Sequence, residues 1–70
     1  MEKMYMVFVI DRAEEAKLFE TTKTLKGAIG KAEYLLKAWR PPYYVVELEY
    51  GINMTVTSKV VYKKEKWGWD

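Results

Sequence analysis

Residues 4–10 (Met4, Tyr5, Met6, Val7, Phe8, Val9, Ile10) are apolar without interruption. Strand side chains alternate between faces, so Met4, Met6, Phe8 and Ile10 point one way and Tyr5, Val7 and Val9 the other. A strand apolar on both sides needs cover on both. The polar stretch 11–15 ends it, and residues 16–21 then predict a second strand pairing back on the first. Ala, Glu and Lys there also suit a helix, which is the competing reading for residues 14–19.

The period then changes. Leu25, Ala28, Ile29, Ala32, Leu35, Leu36 and Trp39 recur at spacings of three and four, which predicts a helix over 23–39 with one apolar stripe. Thr22 or Thr24 can cap its start through a hydroxyl that accepts from the first-turn N–H groups. Pro41 and Pro42 stop it, because a proline lacks the N–H and displaces the residue before it from helical geometry.

Alternation returns in residues 43–50. Tyr44, Val46, Leu48 and Tyr50 share one face, and Tyr43, Val45, Glu47 and Glu49 share the other. Gly51 and Asn53 predict a hairpin turn across 50–53. A fourth strand follows over 54–63, with Met54, Val56, Val60 and Tyr62 on one side and Thr55, Thr57, Lys59 and Val61 on the other. The expected fold is α+β: ββαββ, a four-stranded, mostly antiparallel sheet with one helix packed on one face. Residues 1–63 form a single domain. Residues 64–70 are a short tail carrying Trp67 and Trp69.

Composition narrows the chemistry. At 70 residues the core is small, and chains of this size often need a disulfide, a metal or a second subunit. Cys and His are both absent, which excludes disulfides, thiolate zinc sites, cysteine nucleophiles and imidazole acid–base catalysis. A second subunit is the staple that remains. No secretory pattern and no run long enough to span a bilayer is present, so the expectation is a soluble, cytoplasmic protein without membrane partners. The absence of Gln, a single Asn and abundant Lys and Glu give a thermophile-like composition.

The net charge of +2 is unevenly spread: −2 over residues 1–20, +4 over 21–40, −2 over 41–58 and +2 over 59–70. Positive charge therefore gathers on the predicted helix, whose outer face carries Lys23, Lys26, Lys31, Tyr34 and Lys37, with Arg40 beyond its end. These residues are the candidates for nucleic-acid contact, lysines to phosphates and Tyr34 to a base or sugar. Gly27 and Gly30 on that face would allow a second backbone to approach closely. The plainer reading of the same lysines is a solvated helix face.

One helix covers one side of a sheet, so the other side needs a second subunit or the tail. Tyr5, Val7, Val9, Tyr43, Val45 and Val61, with Trp67 and Trp69, are the candidate interface. Two other readings stand: the tryptophans fold back over that face, or Met4, Met6, Phe8 and Ile10 form the uncovered side instead. Asp11, Glu47 and Glu49 could hold Mg²⁺ in a metal-dependent nuclease, but a charged strand face that discourages edge pairing explains the glutamates equally well. No phosphate loop and no activated nucleophile is present, and no catalytic residue, metal, cofactor or small-molecule substrate is assigned. The reading is a non-enzymatic small binding or assembly module. It self-associates through its sheet, most simply as a homodimer, with nucleic acid as the candidate partner of the basic helix. The alternative is a purely structural or protein-interaction domain with no nucleic-acid binding.

Overall fold

The computed structural model describes residues 2–67. They form β1 (Glu2–Ile10), β2 (Ala16–Thr22), α1 (Leu25–Leu35), β3 (Tyr43–Tyr50) and β4 (Val56–Lys64). The sheet has the order β2-β1-β3-β4, antiparallel throughout. Both hairpins and the helical connection expected from the sequence are present, including β2 as a strand.

The helix settles which face is inside. Val7 and Val45 are each 0% exposed and, with nearly buried Tyr43, lie against Ala28 and Ala32 of α1. Tyr5, Val9, Leu25, Ile29, Leu36 and Val61 close the margins of this core. The two alanines allow the helix to sit close to the sheet, and the branched valines fill a pleated surface well. Tyr43 is anchored twice. Its ring lies 5.8 Å from that of Tyr62, and its hydroxyl donates to Glu33 Oε2 at 2.6 Å.

Thr24 is the residue that caps α1: its Oγ1 accepts from the Gly27 N–H at 3.0 Å. The helix ends at Leu35, four residues short of the expected end. The N–H groups of Trp39 and Arg40 both turn back to the Leu36 carbonyl, and Arg40 adopts φ 47°. The buried Pro41–Pro42 pair explains the early stop. Ile10 N–H donates to the Pro42 carbonyl at 2.9 Å, so the chain must leave the helix in time to dock against the end of β1. The last apolar residues of the predicted stripe, Leu35 and Trp39, are consequently exposed.

Two irregularities shift the strand faces. The β1–β2 register slips between Val7 and Phe8, and the β3–β4 register slips between Val45 and Val46. Each is an extra residue in an edge strand, Phe19 in β2 and Val61 in β4. The second slip sets Tyr62 opposite Val45 and moves its ring to the helix side beside Tyr43, contrary to strict alternation from Val60.

Burial, followed by donation to the Glu33 carboxylate, holds the Tyr43 phenol well above its ordinary ionisation range. The unfolded chain releases that proton near pH 10.0 and the folded one does not. The stability this phenol confers is therefore complete below that pH and is lost as the pH rises past it. Urea midpoints measured from about pH 9 to about pH 11 should fall, and Tyr43→Phe should blunt the fall. An unchanged slope in the variant would show that other groups govern alkaline unfolding.

Candidate functional site

The side of the sheet opposite α1 is open. Pairing places Met4, Met6 and Phe8 of β1 beside Leu48, Val46 and Tyr44 of β3. The rings of Phe8 and Tyr44 stack with centroids 5.3 Å apart. Register adds Leu18 of β2 next to Phe8, and Val60 and Val56 of β4 next to Val46 and Tyr50. The two central strands shield one another in part, whereas Leu18, Val56 and Val60 are each more than half exposed. Among the described residues the register brings charge to this face at two places, Glu2 beside Tyr50 and Lys63 beside Tyr44. The centre is uncharged and largely apolar, with Ser58 beside Leu48 and Thr21 beside Met6 at the edge strands.

This reverses the assignment of faces made from the sequence. Val7, Tyr43 and Val45 are buried under the chain's own helix, and Tyr5, Val9 and Val61 pack at the margins of that core, so these interface candidates lie on the covered side. The alternating partners Met4, Met6, Phe8 and Ile10 belong to the uncovered side, the third of the readings above. Trp67 lies at the end of the sheet, with the Arg12 guanidinium 5.0 Å from its ring, rather than across the open face. Trp69 falls outside the described residues.

The basic residues are less gathered than a single helix over 23–39 would make them. Lys23 precedes the cap, and Lys37 and Arg40 follow the shortened helix, leaving Lys26, Lys31 and Tyr34 on α1 itself. Lys31 pairs with Glu20 at 3.9 Å, and the Lys37 ammonium sits 4.7 Å from the centre of the Tyr34 ring. The two glycines have different origins. A Cβ on Gly27 would meet Thr24 Oγ1 at 2.8 Å, so this position accommodates the cap. A Cβ on Gly30 would meet nothing within 4 Å.

The acidic residues do not converge. Glu47 accepts from the Tyr5 hydroxyl at 3.0 Å and lies 3.8 Å from Lys3 and 3.9 Å from Lys59, while Glu49 lies 3.7 Å from Lys3. The hydrogen bond to Glu47, and after it desolvation, holds the Tyr5 phenol above its usual range. Asp11 stands at the other end of β1, accepting from the N–H groups of Ala13 and Glu15 and pairing with Lys17 at 3.3 Å. Those contacts, the Glu15 N–H foremost, hold its carboxyl below the ordinary range. Among the described residues no three Asp, Glu, His or Cys side chains are grouped to hold a metal. The carboxylates here close a turn and a set of surface ion pairs.

Two features escaped the sequence reading. A cleft of about 590 Å³ opens at one end of the sheet, where Ile10, Arg12, Pro42, Tyr44, Lys63 and Trp67 meet. Its lining comes from three separated stretches, so no local pattern announces it. At the opposite end the β3–β4 turn exposes Ile52 by 82% and Met54 by 95%. Two large apolar residues flanking Asn53 in a turn were the available signal. Among the described residues no helix is long and apolar enough to cross a membrane. The chain matches no family model, and no curated protein sequence or solved structure is significantly similar to it.

The contrast between the glycines gives a stability test. Gly30→Ala should stabilise the chain by about 0.5–1 kcal/mol. Gly27→Ala should yield little, since losing the Thr24 cap costs about 1 kcal/mol and offsets the gain. Chemical denaturation of both variants checks this. A destabilised Gly30→Ala would show that another backbone uses that position.

Proposed function

We propose that this chain is a non-enzymatic assembly module whose open sheet face packs on the same face of a second copy. The carrying observation is that uncharged apolar field on β1, β3 and β4, on the side away from α1. The surface area supports it. A folded monomer of 8.3 kDa is expected to expose about 4,600 Å². This chain exposes 5317 Å². The excess, roughly 700 Å², is what an elongated chain with an uncovered sheet face shows.

The dimer so formed has two sheets inside, about 10 Å apart, and one helix on each outer surface. It supplies the second layer that a sheet with one helix lacks. A second copy also suits the charge pattern, since a face without central charge meets its own image without repulsion. Nucleic acid suits it less well: among the described residues the register brings one cation to the open face, Lys63 at its margin, and the lysines around α1 are dispersed.

Val46→Lys is the direct test. In a two-fold pair it sets like charges near one another in a dry interface, which costs several kcal/mol. Sedimentation velocity should show the wild type at twice the chain mass and the variant at the single-chain mass, with the same circular dichroism. Val7→Lys, beneath the helix, should instead unfold the chain. Equal sedimentation of wild type and Val46→Lys would refute the assembly.

A further inference from the structure

Resting on that reading, we infer that the two copies run antiparallel and that the β3–β4 turn of each seats Ile52 and Met54 in the partner's end cleft. Three observations converge on this arrangement. The first is the turn itself. Asn53 and Met54 both adopt left-handed backbone, at φ 64° and 62°. Asn adopts that conformation readily and Met only at a cost, so the turn carries backbone strain at Met54. The loop is nevertheless well braced. Gly51 N–H donates to the Thr55 carbonyl at 2.8 Å, and Thr55 Oγ1 donates to the Ile52 carbonyl at 2.9 Å. A strained, braced turn holding two large apolar side chains in water is a preformed plug without a socket on its own chain.

The second observation is the cleft. Ile10, Pro42, Tyr43, Tyr44 and Trp67 give it apolar and aromatic walls, which suit a thioether and a branched aliphatic chain, and the rest of its lining is charged, Asp11, Glu14 and Glu65 against Arg12, Lys63 and Lys64. No charged residue lies between Glu49 and Lys59, so the plug brings no ion into it.

The third is position. The turn joins β3 to β4 at one end of the sheet, and the cleft lies between the start of β3 and the finish of β4 at the other. A two-fold axis lying between the packed sheets and across the strands keeps each strand over its own copy and exchanges the ends. That operation carries the turn of one chain onto the cleft of the other. The axis then crosses β3 near Glu47 and Leu48, midway between turn and cleft and within the open face. Parallel stacking would bring turn to turn and leave both clefts empty.

Because the chain contains no Cys, introduced thiols report cleanly. Met54 and Lys63 are separated by most of β4, about 30 Å at ~3.3 Å per residue, so a short bis-maleimide cannot join them within one chain. Mixing Met54→Cys with Lys63→Cys should therefore give a cross-linked heterodimer. Mixing Met54→Cys with Glu2→Cys, at the turn's own end of the sheet, should give far less. Met54→Asn, which relieves the backbone, should leave the urea midpoint of diluted protein no lower yet raise the dissociation constant at least tenfold. A dimeric wild type that fails to cross-link at 54 and 63 and is indifferent to Met54→Asn would overturn the antiparallel seating while sparing the assembly. A monomeric wild type would overturn both.

Discussion

The structure depends on a single packing contact between α1 and the sheet. Ala28 and Ala32 lie on Val7 and Val45, and the eleven-residue helix packs on β1, β2 and β3 from one side of the sheet only. That contact commits one face of the sheet to the interior and leaves the other uncovered. The buried diproline, the early end of the helix and the anchoring of Tyr43 all preserve it. A chain of this size holds little stability in reserve, so the uncovered face is an energetic liability as well as a surface.

Charge distribution reinforces this division. Where α1 does not reach, the helix side of the sheet is finished with Glu47, Glu49, Lys3 and Lys59, a neutralising set of ion pairs that water can solvate. The opposite side receives no such treatment. Its ionic groups stand at the margins, and its middle is methionine, valine, leucine and stacked aromatic rings. The same chain thus handles an uncovered surface in two ways, and only one of them suits permanent contact with water.

Much of the fold was legible in the residues. The change of period from two to near four and back to two marked the strands and the helix, and the diproline marked the boundary between α1 and β3. The helix terminus was less legible because docking of Pro42 on Ile10 is a tertiary event. The extra residues Phe19 and Val61 were hidden because a bulge leaves the composition of a strand unchanged. Which face α1 would cover was not legible at all: Met4, Met6, Phe8 and Ile10 are as apolar as Tyr5, Val7 and Val9. The decision comes from shape, since compact valines admit a close helix and long methionines hold one away. The end cleft was invisible because its walls are distant in sequence.

The most direct measurement of the central claim is an isotope-filtered nuclear Overhauser experiment on a mixture of labelled and unlabelled chains. Face-to-face packing of the open sheets requires intermolecular contacts from the methyl groups of Met6, Val46 and Leu48, and none from Val7 or Val45. Intermolecular contacts confined to the backbone of β4, or none from the open face at millimolar concentration, would contradict it.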